Sequence, residues 1–229
     1  MLTMFALAAI LLVEFCRSHL VLKSANASVK LTPFEYCLGS QIGLKFRAYK
    51  FSGLLLYLEN QEKNCYISAK FVNDARLQVE TKLVPERDTR TYSTTLVNLD
   101  SNVVHRGQHW NYLNISFLEQ RSIVVGLNGF YTSRFSKVPK EKLRFETAYL
   151  GALPEELQED ASMRASFTAA LESSFRGEVA QLTYHLCGQN YGSLSLHSMP
   201  EMTLKNGAEY SVSRAVSAGN PSECIQFRC

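Results

Sequence analysis

From about residue 40 the chain repeats with a period of two. Ile42, Leu44, Phe46 and Ala48 are apolar while Gly43, Lys45 and Arg47 alternate with them, the pattern of a strand with one face in a core and one in water. Gly53 to Leu58 is a short apolar run, as expected of a strand covered on both faces. Tyr66 to Val72 and Arg76 to Thr81 flank Asn73-Asp74-Ala75, which reads as a hairpin turn. Trp110 to Leu118 is followed, across Glu119-Gln120-Arg121, by Ser122 to Leu127. Asn128-Gly129 then turns into Phe130 to Phe135; both turn positions need positive φ, which Asn and Gly tolerate. Ala148 to Leu150 and Glu178 to Leu186 complete the set, and Trp110 and Phe117, alternating within their strand, are expected in the core.

About ten short strands without alternating helices predict an all-β fold, an antiparallel β-sandwich. The one helical candidate is Pro154 to Asp160, where Pro and acidic residues suit a helix start, within a long insertion that runs to about Ser174. Beyond His197 the sequence turns polar, and Ser217 to Ser222 reads as a linker.

Met4 to Val13 is an apolar block ended at once by Glu14 and Arg17. That length fits the apolar region of a secretory signal and is too short for a bilayer. Residues 1–18 are therefore expected to be a signal peptide, cut after Ser18. Elsewhere no apolar run reaches the roughly 18 residues of a membrane helix. Export makes Asn26-Ala27-Ser28 and Asn114-Ile115-Ser116 candidate N-glycosylation sites, at Asn26 and Asn114. It also permits disulfides among Cys37, Cys65, Cys187, Cys224 and Cys229, an odd set that leaves one thiol over or paired outside the chain. With 24 Lys and Arg against 21 Asp and Glu in 229 residues, a bulk electrostatic grip on nucleic acid is excluded.

Five segments in order now resemble a known family: Phe51-Ser-Gly-Leu-Leu-Leu-Tyr57, Arg76-Leu-Gln-Val79, Trp110 opening a strand, Tyr149-Leu-Gly-Ala-Leu-Pro154 and Phe175-Arg-Gly177. Together they are similar to a laminin G-like domain, which implies a jelly roll of the concanavalin and laminin G-like kind. The insertion after Leu150-Gly-Ala-Leu-Pro-Glu-Glu-Leu157, with Cys37 and Cys65, most resembles the first such domain of the α-neurexins. Cys224 to Cys229 resembles the opening of the EGF-like module that follows it there. The implied organisation is a laminin G-like domain over 19–203, an irregular segment over 204–222 and the start of an EGF-like module over 223–229. Asn111, Val84-Pro85 and Glu178 depart from the family pattern, Glu178 standing where many relatives have a cysteine. In the implied fold the terminal strands lie side by side, which pairs Cys37 with Cys187 and leaves Cys65 as the spare thiol.

Catalytic chemistry is not evident. His105 and His109 are four apart, but Gly107 and the following strand argue against one helical face holding a metal. The acidic cluster Glu155, Glu156, Glu159 and Asp160 reads as a solvated face rather than a paired-carboxylate cleft. Calcium is the cofactor that the resemblance implies, at a loop site whose nearest candidate ligand is Asp88, with Glu86 beside it. Arg134, Lys137, Lys140, Lys142 and Arg144 form the densest cationic stretch and are the candidate contact for heparan sulfate, with Glu141 diluting it. The resemblance implies a secreted or cell-surface module that binds extracellular protein ligands in synaptic adhesion. A secreted glycosaminoglycan-binding protein of the same fold is the alternative.

Overall fold

The computed structural model describes residues 17–24, 26–72, 76–83, 94–99, 101–107, 109–118, 122–135, 139, 141–154, 157, 175–185, 203–205 and 208–213. Among them sixteen strands build two seven-stranded antiparallel sheets and a two-stranded ribbon. The first sheet runs, in spatial order, β11 (Phe130–Phe135), β10 (Ser122–Leu127), β9 (Asn111–Leu118), β4 (Gln41–Lys50), β14 (Arg176–His185), β1 (Arg17–Leu22) and β16 (Ala208–Ser213). The second runs β15 (Thr203–Lys205), β2 (Ser28–Lys30), β13 (Thr147–Leu150), β5 (Gly53–Asn60), β6 (Cys65–Val72), β7 (Arg76–Lys82) and β8 (Thr94–Leu99). The ribbon is β12 (Leu143–Phe145) on β3 (Phe34–Tyr36).

The period of two decides which side chains meet between the sheets. Ile42, Leu44 and Phe46 of β4, Leu113, Ile115 and Phe117 of β9, and Ile123, Val125 and Leu127 of β10 are buried against Leu56, Leu58, Ile67, Val79 and Val97 of the second sheet. Removing this apolar surface from water is the main force holding the layers together. β5 carries a register shift between Leu54 and Leu56, which lets both Leu55 and Leu56 enter the core. The ribbon bridges the layers: Phe34 lies 4.8 Å from Tyr184 of the first sheet, while Asn60 Nδ2 of the second donates to the Arg144 carbonyl at 2.7 Å.

The Asn128-Gly129 hairpin forms as its sequence dictates, with φ of 52° and 86° at the two turn positions. In Tyr149 to Pro154, one of the segments that carry the family resemblance, Gly151 has φ of 88°, and a Cβ there would come within 2.6 Å of the Ala27 carbonyl oxygen. Glycine is required at that point for both conformation and space.

Two differences from the sequence expectations concern the ends. β15 and β16 fall within or against the stretch expected to be irregular, 204–222, and pair with β2 and β1 respectively. The sandwich therefore extends to Ser213, because β16 supplies the hydrogen bonds that would otherwise leave β1 as an open edge. β1 begins at Arg17, so cleavage after Ser18 would remove two of its residues and keep its whole pairing with β14, which starts at Leu20. Of the expected helix, Pro154 and Leu157 are described, with Leu157 N–H donating to the Pro154 carbonyl at 2.9 Å; the remainder lies outside the described residues.

Candidate functional site

On the first sheet, the positions that do not face the core form one open surface. Its centre is Glu178 on β14, buried to 4 % exposure although it is charged and faces outward. Arg47 of β4, its register partner, donates to Oε2 at 2.5 Å, and the Tyr49 hydroxyl donates to Oε1. His19 Nε2 of β1 lies 3.4 Å from the same carboxylate. Burial opposes the charge on Glu178, yet the hydrogen bonds from Arg47 and Tyr49, with the charges of Arg47 and His19, hold its carboxyl below the usual range. Tyr49 is 56 % exposed overall, but its hydroxyl end is tucked against Glu178. Burial there and the neighbouring carboxylate push the phenol up to about 12.

Trp110 is the second centre. The Arg47 guanidinium stands 5.0 Å and Lys45 Nζ 5.7 Å from its ring centroid, and His19 meets it edge-on at 6.3 Å. Both cations sit where the ring's negative face attracts them. The expectation that Trp110 lies in the core is thereby corrected, while Phe117 is fully buried. Residues an odd number apart on a strand point to opposite faces, so Phe117 facing in turns Trp110 outward.

Val103 and His105, ahead of β9, are held in place by two asparagines. Asn111, fully buried, accepts from the His105 N–H at 2.7 Å and returns a bond to the His105 carbonyl at 3.0 Å. Asn128 Nδ2 donates to Asn111 Oδ1 at 2.8 Å and to the Val103 carbonyl at 2.7 Å. Asn111, a departure from the family pattern, thus fixes the loop that presents Trp110. His105 and His109 lie edge to face at 6.4 Å, and among the described residues no group of three His, Cys, Asp or Glu side chains is placed to hold a metal.

Next to Trp110 the face is tyrosine-rich. One register row crosses it: Thr183, Gly43, Asn114, Gly126 and Tyr131. The Tyr112 hydroxyl lies 2.7 Å from where a Gly43 Cβ would be, and the Tyr131 ring 2.5 Å from that of Gly126. The two glycines let two tyrosines lie down against the sheet on either side of Asn114. Among the described residues the exposed large hydrophobic side chains are Tyr49, Tyr112, Leu118, Phe130 and Tyr131. All belong to this sheet; Phe130 pairs with core-facing Leu127 at the hairpin end, whereas Tyr49, Tyr112, Leu118 and Tyr131 share the open face, a concentration that marks an interaction surface on a folded domain.

The sequence candidates fall elsewhere or outside. Asp88, Glu86, Lys137, Lys140 and Cys187 lie outside the described residues. Arg134 is exposed on β11, whereas Arg144 is on the ribbon opposite Glu35, so the described ends of the cationic stretch belong to different sheets. Cys37 is disulfide-bonded to a cysteine outside the described residues, and Cys65 is free and buried. Asn26 is exposed in the turn before β2, and Asn114 is part-exposed on β9. The sequence does not single out His19 or Tyr49; it shows Lys45 and Arg47 only as polar alternation and Glu178 only as a departure from the family pattern. The readable signal is the outward phase of β4, whose polar positions alternate with the core residues.

Known structures share this sandwich. The mouse laminin α1 chain, domains LG4-5, superposes with a TM-score of 0.56 at 17 % identity, over 87 % of this chain and 48 % of that one. The LG1-3 region of the laminin α2 chain gives 0.55 at 12 % identity, over 82 % and 29 %. The fold is laminin G-like. The chain spans about half or less of those two laminin structures. The heptameric SAP-like pentraxin from Limulus polyphemus is also similar, with a TM-score of 0.59 at 10 % identity over 88 % of this chain and 97 % of that one. No protein-family model and no curated protein sequence matches the chain significantly.

Proposed function

We propose that this laminin G-like domain is an extracellular recognition module of the neurexin kind, binding a protein ligand at the cell surface through the open face of its first sheet. The observation that carries the reading is the ledge formed by Trp110, Arg47, Lys45 and Tyr49 around the buried Glu178. Trp, Tyr and Arg are the residue types that dominate binding energy at protein interfaces. Here Glu178 fixes the Arg47 side chain before any ligand arrives, which lowers the ordering cost of binding. Lys45 makes no ion pair among the described residues and leaves the ledge with a net positive character suited to an acidic group on the ligand. No bond is made or broken in this function.

The test is binding of the labelled, secreted chain to a panel of cell surfaces that includes neurons. Trp110→Ala with Tyr49→Ala is expected to weaken saturable binding by roughly tenfold or more, with unchanged far-UV circular dichroism. Undiminished binding by that variant, together with loss on replacing Arg134, Lys142 and Arg144, would instead favour the glycosaminoglycan reading. Retention on heparin that falls steeply with salt would accompany that result.

A further inference from the structure

We infer that the tyrosine half of the open face is the seat of the chain's own glycan, carried on Asn114. This rests on the extracellular reading above and adds to it what covers the surface beside the Trp110 ledge.

Asn114 and Ser116 are the acceptor and hydroxyl positions of an Asn-Ile-Ser sequon within one strand, so both side chains point away from the core. The Ser116 hydroxyl donates to Asn114 Oδ1 at 3.1 Å. Asn114 Nδ2, the atom a glycan would occupy, makes no hydrogen bond among the described residues, and the residue is part-exposed. The register partners of Asn114 are Gly43 and Gly126, so neither partner residue sets a side chain of its own beside it. Beyond them lie the two tyrosines, Tyr112 42 % and Tyr131 67 % exposed. Tyr112 is two residues before Asn114 and therefore on the same face. Tyr131 lies over Gly126 from the far side.

An aromatic ring lying against the sheet and open to water exposes apolar surface that a soluble domain usually covers. The C–H face of a first N-acetylglucosamine has the right shape and polarity to stack on such a ring while its hydroxyls stay hydrated. Attachment at Asn114 makes that contact intramolecular and thus high in effective concentration. The glycan would cover Tyr112 and Tyr131 and leave Trp110, about 13 Å farther along the strand direction by the rise of four residues, open to a protein ligand. It would also forbid edge-on stacking of two such faces.

The experiment uses the whole chain, with its own N-terminus, expressed in a secretory eukaryotic cell line. Glycopeptide mass spectrometry is expected to find Asn114 occupied. Trimming to a single N-acetylglucosamine should keep the melting temperature within about 1 °C, whereas the unglycosylated Ser116→Ala and Asn114→Gln forms should melt roughly 2–4 °C lower. Nitration of Tyr112 and Tyr131 should be several-fold slower in the glycosylated protein, with exposed Tyr49 as the internal control. Tyr131→Ser should abolish most of the glycan-dependent shift while Asn114 remains occupied. Occupancy of Asn26 without Asn114 would overturn the inference and leave the extracellular reading standing. Failure of export, with neither site modified, would overturn both. Occupancy of Asn114 with equal nitration rates and equal melting temperatures would overturn the seat.

Discussion

Arg47 and Glu178 face each other across the β4–β14 pairing, with guanidinium and carboxylate 2.5 Å apart, and each also serves a second aromatic partner. Arg47 stacks on Trp110, and Glu178 accepts from Tyr49. The pair is what makes a charged outward side chain tolerable at 4 % exposure. Because the Glu178 carboxyl is held below its ordinary value, its contribution is present above the unfolded pKa of about 4.3. That contribution is lost as pH falls through the lower folded value.

Glu178→Gln is therefore expected to cost about 1–2 kcal/mol near pH 7, discounted for the partial exposure of Arg47. The difference from the parent should shrink steadily below about pH 4, where the native carboxylate also becomes protonated. Urea midpoints at pH 7 and pH 3 measure both arms. A variant equal to the parent at pH 7 would remove the pair from any part in positioning the ledge.

Asn111 carries the second expectation. It holds both the N–H and the carbonyl of His105, and accepts from Asn128, from a fully buried position. Asn111→Ala orphans several buried backbone and amide groups at once, which should cost about 2–4 kcal/mol. Trp110 is the single tryptophan, so its emission reports the loop directly. A red shift in the folded variant is expected; an unchanged spectrum with unchanged stability would show that the loop is held by other contacts.

How much of this was legible in the sequence depends on the range of the interaction. β4, β9, β10 and β11 follow from local alternation and from Asn128-Gly129, whose requirement for positive φ is met within two residues. The core likewise follows from phase, since alternating apolar positions can only be buried together. Trp110 faces outward because it stands seven residues, an odd number, before core-facing Phe117, and apolar character alone does not reveal that parity. β1 merges into an apolar leader-like stretch, and β16 sits among Ser, Gly and Asn, so each is a strand by virtue of its neighbour rather than its own composition. Glu178 was visible only as a missing cysteine: its partner Arg47 is 131 residues away, and no local pattern joins them.

On the opposite sheet, Lys70 and Glu80 form a buried pair. Nζ and Oε2 are 3.7 Å apart, and the Tyr66 hydroxyl donates to Glu80 Oε1 at 2.6 Å. Burial drives the Lys70 pKa down and Glu80 draws it back up. Removing one partner strands a charge, so Glu80→Ala should destabilise by about 3–5 kcal/mol. The double change Lys70→Met with Glu80→Leu should recover most of that loss. Chemical denaturation of Lys70→Met, Glu80→Leu and the double variant closes the cycle. Purely additive single costs would argue that the two side chains do not interact.

Cys65 gives the last expectation, because its sulfur belongs to the core rather than to a disulfide. The residue is fully buried and its Sγ–H donates to the Lys63 carbonyl at 3.2 Å. Burial raises the thiol pKa, against the smaller opposing pulls of Lys82 and Lys63. A thiol that is both buried and protonated is a poor nucleophile. Iodoacetamide should leave Cys65 unlabelled in the native protein and modify it in denaturant without reductant, whereas Cys37 should need reductant as well. Peptide mass spectrometry separates the two. Cys65→Ala should be secreted and folded, about 1 kcal/mol less stable from the lost packing. Rapid labelling of Cys65 in the native protein would mean that this end of β6 opens far more readily than its burial implies.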